Sequence, residues 1–156
     1  MDININFHNR RPIIFICGNG GLASHAEHFA AELMGKFGYD VYIPCLSLTC
    51  NSALITALAN DLGFEYVFSH QLEVLAKKGD TLIVLTTSKL SKDNKHSLNL
   101  YNAVQTAYNK KMKVILLDQD NLQGETTAEK QNWALAFLHN LALELKRNLH
   151  SKEKVL

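Results

Sequence analysis

The sequence predicts an α/β fold built on a parallel sheet. Four apolar runs rich in β-branched residues have the length of strands buried on both faces, and helical patterns separate them. Strands that alternate with helices form a parallel sheet with right-handed crossovers and with helices on both faces. The 156 residues, 47% of them apolar, suffice for a single domain with a sizeable core. We therefore predict one α/β domain over residues 1–156.

The predicted elements follow one another without a repeat or a low-complexity linker. The strands are residues 12–17, 41–48, 81–87 and 113–117. The helices are residues 22–37, 52–59 with 65–76, 98–109 and 126–150. The last helix carries a wide apolar stripe that includes Trp133, Phe137 and Leu141, which is typical of a helix packed on a core. The tail, residues 151–156, is predicted to fray.

Charge and hydropathy argue against several classes of partner. The formal net charge of +1 provides no basic surface for nucleic acid or for an anionic membrane. The apolar run at residues 12–17 is too short to span a bilayer, and residues 1–11 lack the apolar segment of a signal peptide, so we expect a cytoplasmic protein. Cys17, Cys45 and Cys50 have no CxxC spacing, which favours buried free thiols over a redox pair.

A glycine turn follows the first strand. Gly18, Gly20 and Gly21 allow the backbone to turn sharply and to approach a ligand closely. The helix that opens directly after them points its first N–H groups at any anion held in the turn. The turn therefore predicts a phosphate site. The alternative is a tight turn that serves packing and binds no ligand.

Hydroxyl side chains follow the third strand. Thr86, Thr87 and Ser88, with Ser91 beyond them, offer hydroxyl and backbone N–H groups that suit phosphate oxygens. Helix capping is the alternative, because Ser and Thr cap helices routinely. Ligands of parallel sheets bind beyond the carboxyl ends of the strands. The glycine turn and this second segment are therefore predicted to meet at one crevice.

His28 and Glu32 lie four residues apart in the first helix and so share a face. An imidazole and a carboxylate in that arrangement can bind a metal ion together or act as an acid/base pair. The alternative is that the pair lies on a solvent-exposed helix face and has no function, which is the commoner case. The neighbours Phe29, Ala30 and Leu33 are apolar or small, and an ionisable pair among them needs partners, which favours the functional interpretation.

Candidate partners for this pair lie in the last helix, at Gln131 and His139. The alternative for His139 is a hydrogen-bonded core or interface histidine. An ideal helix separates Gln131 from His139 by about 12 Å, so one metal ion reaches both only through extended side chains, a bend or ligands from two protomers. The histidines without such a setting are predicted to lie on the surface, namely His25, His70, His96 and His150.

Three segments carry a family resemblance. They are ICGNGGLASHAEHFAAELMGKF at residues 16–37, SALITALANDLGFEYVFSHQLEVLAKKGD at residues 52–80 and TTSKLS at residues 86–91. In this order and spacing they resemble the phosphoheptose isomerases, the sedoheptulose 7-phosphate isomerases of the sugar isomerase (SIS) domain superfamily. The resemblance implies a three-layer SIS-type, flavodoxin-like fold with a parallel sheet of four to five strands.

The resemblance also implies an activity, a cofactor and a set of site residues. Family members interconvert an aldose and a ketose phosphate in heptose biosynthesis for bacterial surface polysaccharides. A sedoheptulose 7-phosphate substrate, zinc and a homo-oligomer, tetrameric or dimeric, are therefore expected. The residues at the family's substrate positions are Asn19, Gly20, Gly21, Glu32, Asn60, Asp61, Thr86, Thr87, Ser88, Ser91 and Gln131. Those at its zinc positions are His28, Glu32, Gln131 and His139.

In the mechanism that the resemblance implies, Glu32 and His139 are the catalytic groups. Glu32 would carry a proton between the two carbons that flank the carbonyl, through a cis-enediol, with His139 as the opposing acid/base group. Zinc would polarise the carbonyl or hydroxyl oxygens as a Lewis acid.

The phosphate loops depart from the family pattern. Leu22 stands where the family has a serine, and Lys89-Leu90 replaces Gly-Asn. An isobutyl group cannot donate to a phosphate, although the backbone N–H of Leu22 still can. The charge of Lys89 could compensate, and the alternative is a solvated lysine on a loop. These losses favour an alternative function, a non-catalytic SIS domain that binds a phosphosugar or a protein partner such as the replication initiator. A third hypothesis is a paralogue that acts only as an oligomer partner.

Overall fold

The structure, a computed structural model, describes residues 11–153. Its strands are β1 (Ile14–Gly18), β2 (Cys45–Ser47), β3 (Thr81–Leu85) and β4 (Lys113–Leu117). Its helices are α1 (Gly21–Met34), α2 (Ser52–Asp61), α3 (Ser69–Leu75), α4 (Leu98–Asn109) and α5 (Thr127–Glu153). The described strands form one parallel sheet in the order β2-β1-β3-β4, so the predicted α/β class and parallel sheet are confirmed.

Helices cover both faces of this sheet. One core lies under α1 and α5, and the other lies under α2, α3 and α4. Neighbouring residues of a strand point to opposite faces, so Phe15 enters the second core and Ile16 enters the first. Leu82 and Ile83 divide in the same way in β3. This arrangement explains the continuous apolar runs of the sequence, because β1 and β3 are buried on both sides.

The two edge strands differ from the prediction. The run at residues 41–48 pairs with β1 only over Cys45–Ser47, directly after Pro44, which has no N–H to donate to a ladder. In β4, Lys113 is exposed and Ile115 is 38% exposed, so the predicted burial on both faces is wrong for this strand. The cause is the position of α1, which packs on β1 and β2 and leaves the start of β4 uncovered.

The last helix begins with a capping box. Thr126 Oγ1 accepts the N–H of Glu129 at 3.2 Å, and Glu129 Oε2 accepts the N–H groups of Thr126 and Glu125, each at 2.9 Å. These hydrogen bonds hold the pKa of Glu129 below its ordinary value. The helix continues to Glu153, so the tail predicted to fray is helical that far, and residues 154–156 lie outside the described residues. Within residues 11–153 no helix is long and apolar enough to cross a bilayer.

Lys146 in α5 is fully buried. Its Nζ donates to the carbonyl of Gly35, just past the end of α1, and lies 5.7 Å from the centre of the Tyr42 ring. Burial lowers the pKa of Lys146, while the charges of Asp40 and Glu32 act in the opposite direction. The ammonium satisfies a carbonyl at the C-terminus of α1 and so joins the two helices at that end.

Cys17 and Cys45 are buried free thiols, as predicted, whereas Cys50 is a free thiol on the surface, so the predicted burial is wrong for Cys50. Burial raises the pKa of Cys17 and Cys45, that of Cys45 from 9.0 to about 12. The folded protein therefore keeps two protons that the unfolded chain releases above its own thiol pKa. The stability that results is fully present below pH 9.0 and is lost as the pH rises toward the folded pKa.

We expect the free energy of unfolding to fall above pH 9 by about 1.4 kcal/mol per pH unit for each buried thiol. Urea denaturation at a series of alkaline pH values measures this slope. A Cys17→Ala/Cys45→Ala protein should show a flatter pH dependence than the wild type, and Cys50→Ala is the matched control. Parallel pH profiles for the wild type and the double variant would contradict the assignment.

Candidate functional site

The glycine turn joins β1 to α1 at the carboxyl edge of the sheet. Gly20 has a φ of 58°, a left-handed conformation that favours glycine. The N–H groups of Leu22 and Ala23 donate to the carbonyls of Asn19 and Gly20 at 3.1 and 3.0 Å. Within residues 11–153 the N–H groups of Gly20 and Gly21 meet no acceptor, and both residues are exposed. These two N–H groups are therefore available to an anion.

The loop at residues 86–97 follows β3 and ends where α4 begins. Thr86 Oγ1 accepts the N–H of Ser88 at 3.1 Å, which closes a tight turn, and Ser91 Oγ accepts a backbone N–H two residues further on at 3.2 Å. The hydroxyls of Thr87 and Ser88 have no hydrogen-bond partner in the part of the chain that the structure describes. Ser97, which the sequence analysis did not single out, is buried directly before α4.

Glu32 joins α1 to α5. Its Oε1 lies 3.0 Å from His28 Nε2 and 2.6 Å from His139 Nδ1, and the two imidazole rings meet edge to face with centroids 5.1 Å apart. Glu32 is buried, at 8% exposure, whereas His28 and His139 are 53% and 37% exposed. The structure therefore brings together three predicted residues, which we call the His–Glu–His cluster. The cluster extends from a buried carboxylate to the protein surface.

These hydrogen bonds define which ring nitrogens carry hydrogen. An ionised Glu32 oxygen only accepts, so His28 Nε2 and His139 Nδ1 must donate to it. In neutral rings the opposite nitrogens, His28 Nδ1 and His139 Nε2, then have a free lone pair. A metal ion bound by the two nitrogens that face Glu32 would require the opposite tautomers, with the ring hydrogens on His28 Nδ1 and His139 Nε2.

The cluster fits a metal ion such as zinc. Two imidazoles and a carboxylate are ligand types of catalytic zinc sites. One ligand atom from each of the three residues lies within 4.8 Å of the others. Glu32 Oε2 is also buried and has no hydrogen-bond partner among the described residues. A buried carboxylate oxygen without a partner is unfavourable, and a cation would remove that penalty.

His25 belongs to the surroundings of this cluster, so its prediction as a surface residue is wrong. It is half-buried, and its Nδ1 is buried without a hydrogen-bond partner in the described chain. Burial lowers the pKa of His25, and the nearby His28 and His139 lower it further, which favours the neutral ring. The sequence already indicated that His25 lies near His28, because the two residues are three positions apart and share a helix face.

Gln131 lies at the other end of the contact between α1 and α5. A Cβ added to Gly21 would come within 2.8 Å of Gln131 Oε1, so the amide rests on the glycine turn. Eight residues later His139 reaches Glu32, and the two helices therefore run parallel. We call this contact the α1–α5 seam, with the glycine turn at one end and the His–Glu–His cluster at the other. The role of Gln131 as a metal ligand stays a prediction.

Asn60 and Asp61 lie apart from the seam. They end α2 on the surface, where Asn60 Nδ2 donates to Asp61 Oδ1 at 2.8 Å. Because α2 follows β2, it begins at the carboxyl edge of the sheet and runs back toward the opposite edge. A cavity of about 430 Å³ lies between α3 and α4 and includes Tyr66, His70 and Asn102, but none of the predicted site residues lines it. The substrate role of Asn60 and Asp61 stays a prediction.

Comparison with known sequences finds curated relatives over two thirds of the chain. No family model matches. The chain is 45% identical over 105 residues to the phosphoheptose isomerase of Campylobacter concisus, a match that covers 67% of this chain and 51% of that protein. It is 40% identical over 105 residues to the phosphoheptose isomerase of Neisseria gonorrhoeae, with 67% and 50% covered. The chain thus spans about half the length of the curated relatives it matches.

The matches to solved structures extend over a larger share of both chains than the sequence matches do. The phosphoheptose isomerase of Neisseria gonorrhoeae superposes with a TM-score of 0.75 at 30% identity, over 88% of this chain and 77% of that one. The phosphoheptose isomerase of Francisella tularensis gives a TM-score of 0.71 at 28% identity, over 84% and 73%. The similarity therefore includes the described fold as well as the sequence segments that carry the resemblance.

Proposed function

Since the chain belongs to the phosphoheptose isomerase family, we propose that it interconverts sedoheptulose 7-phosphate and D-glycero-D-manno-heptose 7-phosphate. The observation that carries the proposal is the His–Glu–His cluster, in which Glu32 Oε1 lies 2.6 Å from His139 and 3.0 Å from His28. A buried carboxylate between two imidazoles, on the same helix as an anion-binding turn, suits proton transfer on a phosphorylated sugar.

The substrate would lie along the α1–α5 seam. Its phosphate would accept hydrogen bonds from the N–H groups of Gly20 and Gly21 and from hydroxyls of the loop at residues 86–97. From Gly21 to His28 the helix rises about 10 Å, a length that an extended sugar phosphate can span. The other proposed substrate residues are Asn19, Glu32, Asn60, Asp61, Thr86, Thr87, Ser88, Ser91 and Gln131.

Glu32 and His139 would perform the proton transfers. Glu32 takes the proton from the carbon next to the carbonyl, and the electron pair of that C–H bond forms the double bond of a cis-enediol. Glu32 then returns the proton to the former carbonyl carbon, while His139 moves the proton between the two oxygens. The contact between Glu32 and His139 supports this division, because the two groups face one reacting centre from different helices.

We propose zinc as the cofactor, held by His28, Glu32 and His139, with Gln131 as a further ligand that would reach the ion through an extended side chain or from another protomer. The bound ion would supply Lewis-acid stabilisation of the negative charge that develops on the sugar oxygens. The support is the ligand set of the His–Glu–His cluster and the unpartnered Glu32 Oε2. The exposed faces of the imidazoles leave the cluster open to a substrate from the solvent side.

Proton exchange in D2O tests this function. Purified protein with zinc and sedoheptulose 7-phosphate is expected to incorporate deuterium at the carbon that receives the proton and to form the aldose, both followed by NMR. Folded, zinc-loaded protein that does neither would contradict the isomerase proposal. Binding of the phosphosugar without exchange would support the second candidate, a non-catalytic phosphosugar-binding domain.

A specific observation favours that second candidate. Leu22, which occupies the position of a family serine, is 3% exposed and packs in the core under α1 and α5. Its N–H already donates to the carbonyl of Asn19. Leu22 therefore offers no donor to a phosphate, through either its side chain or its backbone. The N–H groups of Gly20 and Gly21 remain available at that end of the seam, beside the Gln131 amide.

We also propose a cytoplasmic homo-oligomer, either a tetramer or a dimer. Large apolar side chains next to the end of α2 are exposed, with Leu62, Phe64 and Tyr66 at 49%, 54% and 46%. A second copy would cover such a surface. The same arrangement would place Asn60 and Asp61 at an interface, where they could meet a substrate held by another protomer.

A further inference from the structure

Two asparagines 80 residues apart, Asn19 and Asn99, form a reciprocal amide pair. Asn19 Nδ2 donates to Asn99 Oδ1 at 3.0 Å, and Asn99 Nδ2 donates to Asn19 Oδ1 at 2.9 Å. Asn19 belongs to the glycine turn, and Asn99 lies in the first turn of α4. We propose that Asn99 is a positioning residue that holds the glycine turn against the loop at residues 86–97, so that both meet one phosphate group. The identity of that group rests on the proposed function.

The pair occupies both donors of the Asn19 side chain. The first hydrogen of Nδ2 goes to Asn99, and the second goes to the carbonyl of His96 at 3.2 Å. Asn19 therefore has no side-chain hydrogen left for a phosphate. A contact of Asn19 with a ligand would therefore come from its backbone, while its side-chain amide determines where the turn lies. Asn99 fixes that amide through both hydrogen bonds of the pair.

The environment of Asn99 suits an anchoring role. It is 2% exposed and lies on a helix, and its Oδ1 also accepts the N–H of Leu100 at 2.9 Å. That N–H is one of the donors that a helix N-terminus leaves without an intrahelical partner. A buried amide is retained only where its hydrogen bonds are made. The pair is also uncharged, so it positions the turn without repelling an anion.

Hydrogen bonds within the loop at residues 86–97, and one from Asn19, hold this loop in place. Near its middle the carbonyl of Lys89 accepts Asn94 Nδ2 at 2.9 Å and Ser97 Oγ at 3.2 Å, which closes the loop on itself. Near its end the carbonyl of His96 accepts Asn19. The loop is thus folded internally and then tied to the glycine turn. Asn99 connects the glycine turn to α4, and Asn19 connects that turn to the loop.

An Asn99→Ala substitution in the 156-residue chain tests the proposal. The reporters are the N–H groups of Leu22 and Ala23, whose hydrogen bonds define the turn. We expect their exchange with D2O, followed by NMR, to become about 25-fold faster, because each lost hydrogen bond is worth about a factor of five and two are lost. In the isomerase assay KM for the phosphosugar should rise about tenfold, with kcat within about threefold.

Asn102→Ala is the matched control. Asn102 lies on the same helix, and its Nδ2 makes one tertiary hydrogen bond, to the carbonyl of Glu65 at 2.9 Å. Its removal should leave KM and the exchange of Leu22 and Ala23 at the wild-type values. If Asn99→Ala does not fold, Asn19→Ala releases the turn from the other side of the pair and is expected to give the same local exchange.

Two results would overturn the proposal. One is wild-type exchange at Leu22 and Ala23 in the Asn99→Ala and Asn19→Ala proteins. The other is an equal acceleration over the whole chain, which would indicate a loss of global stability only. The exchange measurement needs no substrate. If the wild-type protein neither binds nor converts the phosphosugar, the proposed function is contradicted. The positioning role of Asn99 is still decided by the amide exchange of Leu22 and Ala23.

Discussion

A Glu32→Gln protein is expected to lose deuterium incorporation and aldose formation by about a thousandfold or more, the range typical of removing a general base. The amide cannot accept a proton from carbon. Its oxygen can still accept hydrogen bonds from His28 and His139, and its volume is almost unchanged, so the fold should be retained. NMR of the phosphosugar in D2O measures the exchange, and circular dichroism measures the fold.

Glu27→Gln is the control for this substitution. Glu27 lies on α1 as well, but it is exposed and accepts a hydrogen bond from Thr49 Oγ1 at 2.9 Å. We expect its exchange rate to stay within about threefold of the wild type, as for most surface substitutions. Substantial exchange in Glu32→Gln would show that another group moves the proton and would remove Glu32 from the catalytic role.

A His28→Ala protein is expected to bind zinc at least about 100-fold more weakly than the wild type. The loss of an outer partner of a metal ligand already weakens binding by about 10- to 100-fold, and His28 would be a ligand itself. Competition with a chromogenic chelator measures the affinity, and elemental analysis after dialysis measures the bound metal. Because His28 is 53% exposed, its removal should cost little stability.

The matched control for metal binding is His70→Ala. His70 is an exposed histidine on α3, outside the His–Glu–His cluster. Its removal should leave zinc content unchanged. Equal zinc affinity in the His28→Ala and wild-type proteins would assign the metal to other residues, and the proposed ligand set would then be wrong.

The sequence predicted what depends on neighbours along the chain. The glycine turn, the helix face shared by His28 and Glu32, and the boundaries of α4 and β4 all follow from local spacing, and the structure agrees with them. The exposure of β4 was not predictable in this way. It depends on where α1 packs over the sheet, and the periodicity of an apolar run does not contain that information.

The contacts that complete the site join residues distant in sequence. Asn99 is 80 residues from Asn19, and Lys146 is 111 residues from Gly35. An asparagine or a lysine in a helix is ordinarily a surface residue. The local sequence around Asn99 and Lys146 therefore does not indicate that either residue is buried with a specific partner. A contact between distant segments also accounts for the separation of about 12 Å expected between Gln131 and His139 on one helix. The parallel packing of α1 and α5 gives each residue a different partner, Gly21 for Gln131 and Glu32 for His139.

Lys146 has a consequence for how the proposed metal site assembles. It lies seven residues after His139 on the same side of α5 and fastens the end of α1 through Gly35, next to the turn that carries Glu32. The register of the two helices is therefore set by protein contacts alone. In small zinc domains the ion must drive folding, and its removal unfolds the chain. Here the proposed ligands are preorganised, so we expect that a bound metal ion could leave and return while the protein stays folded.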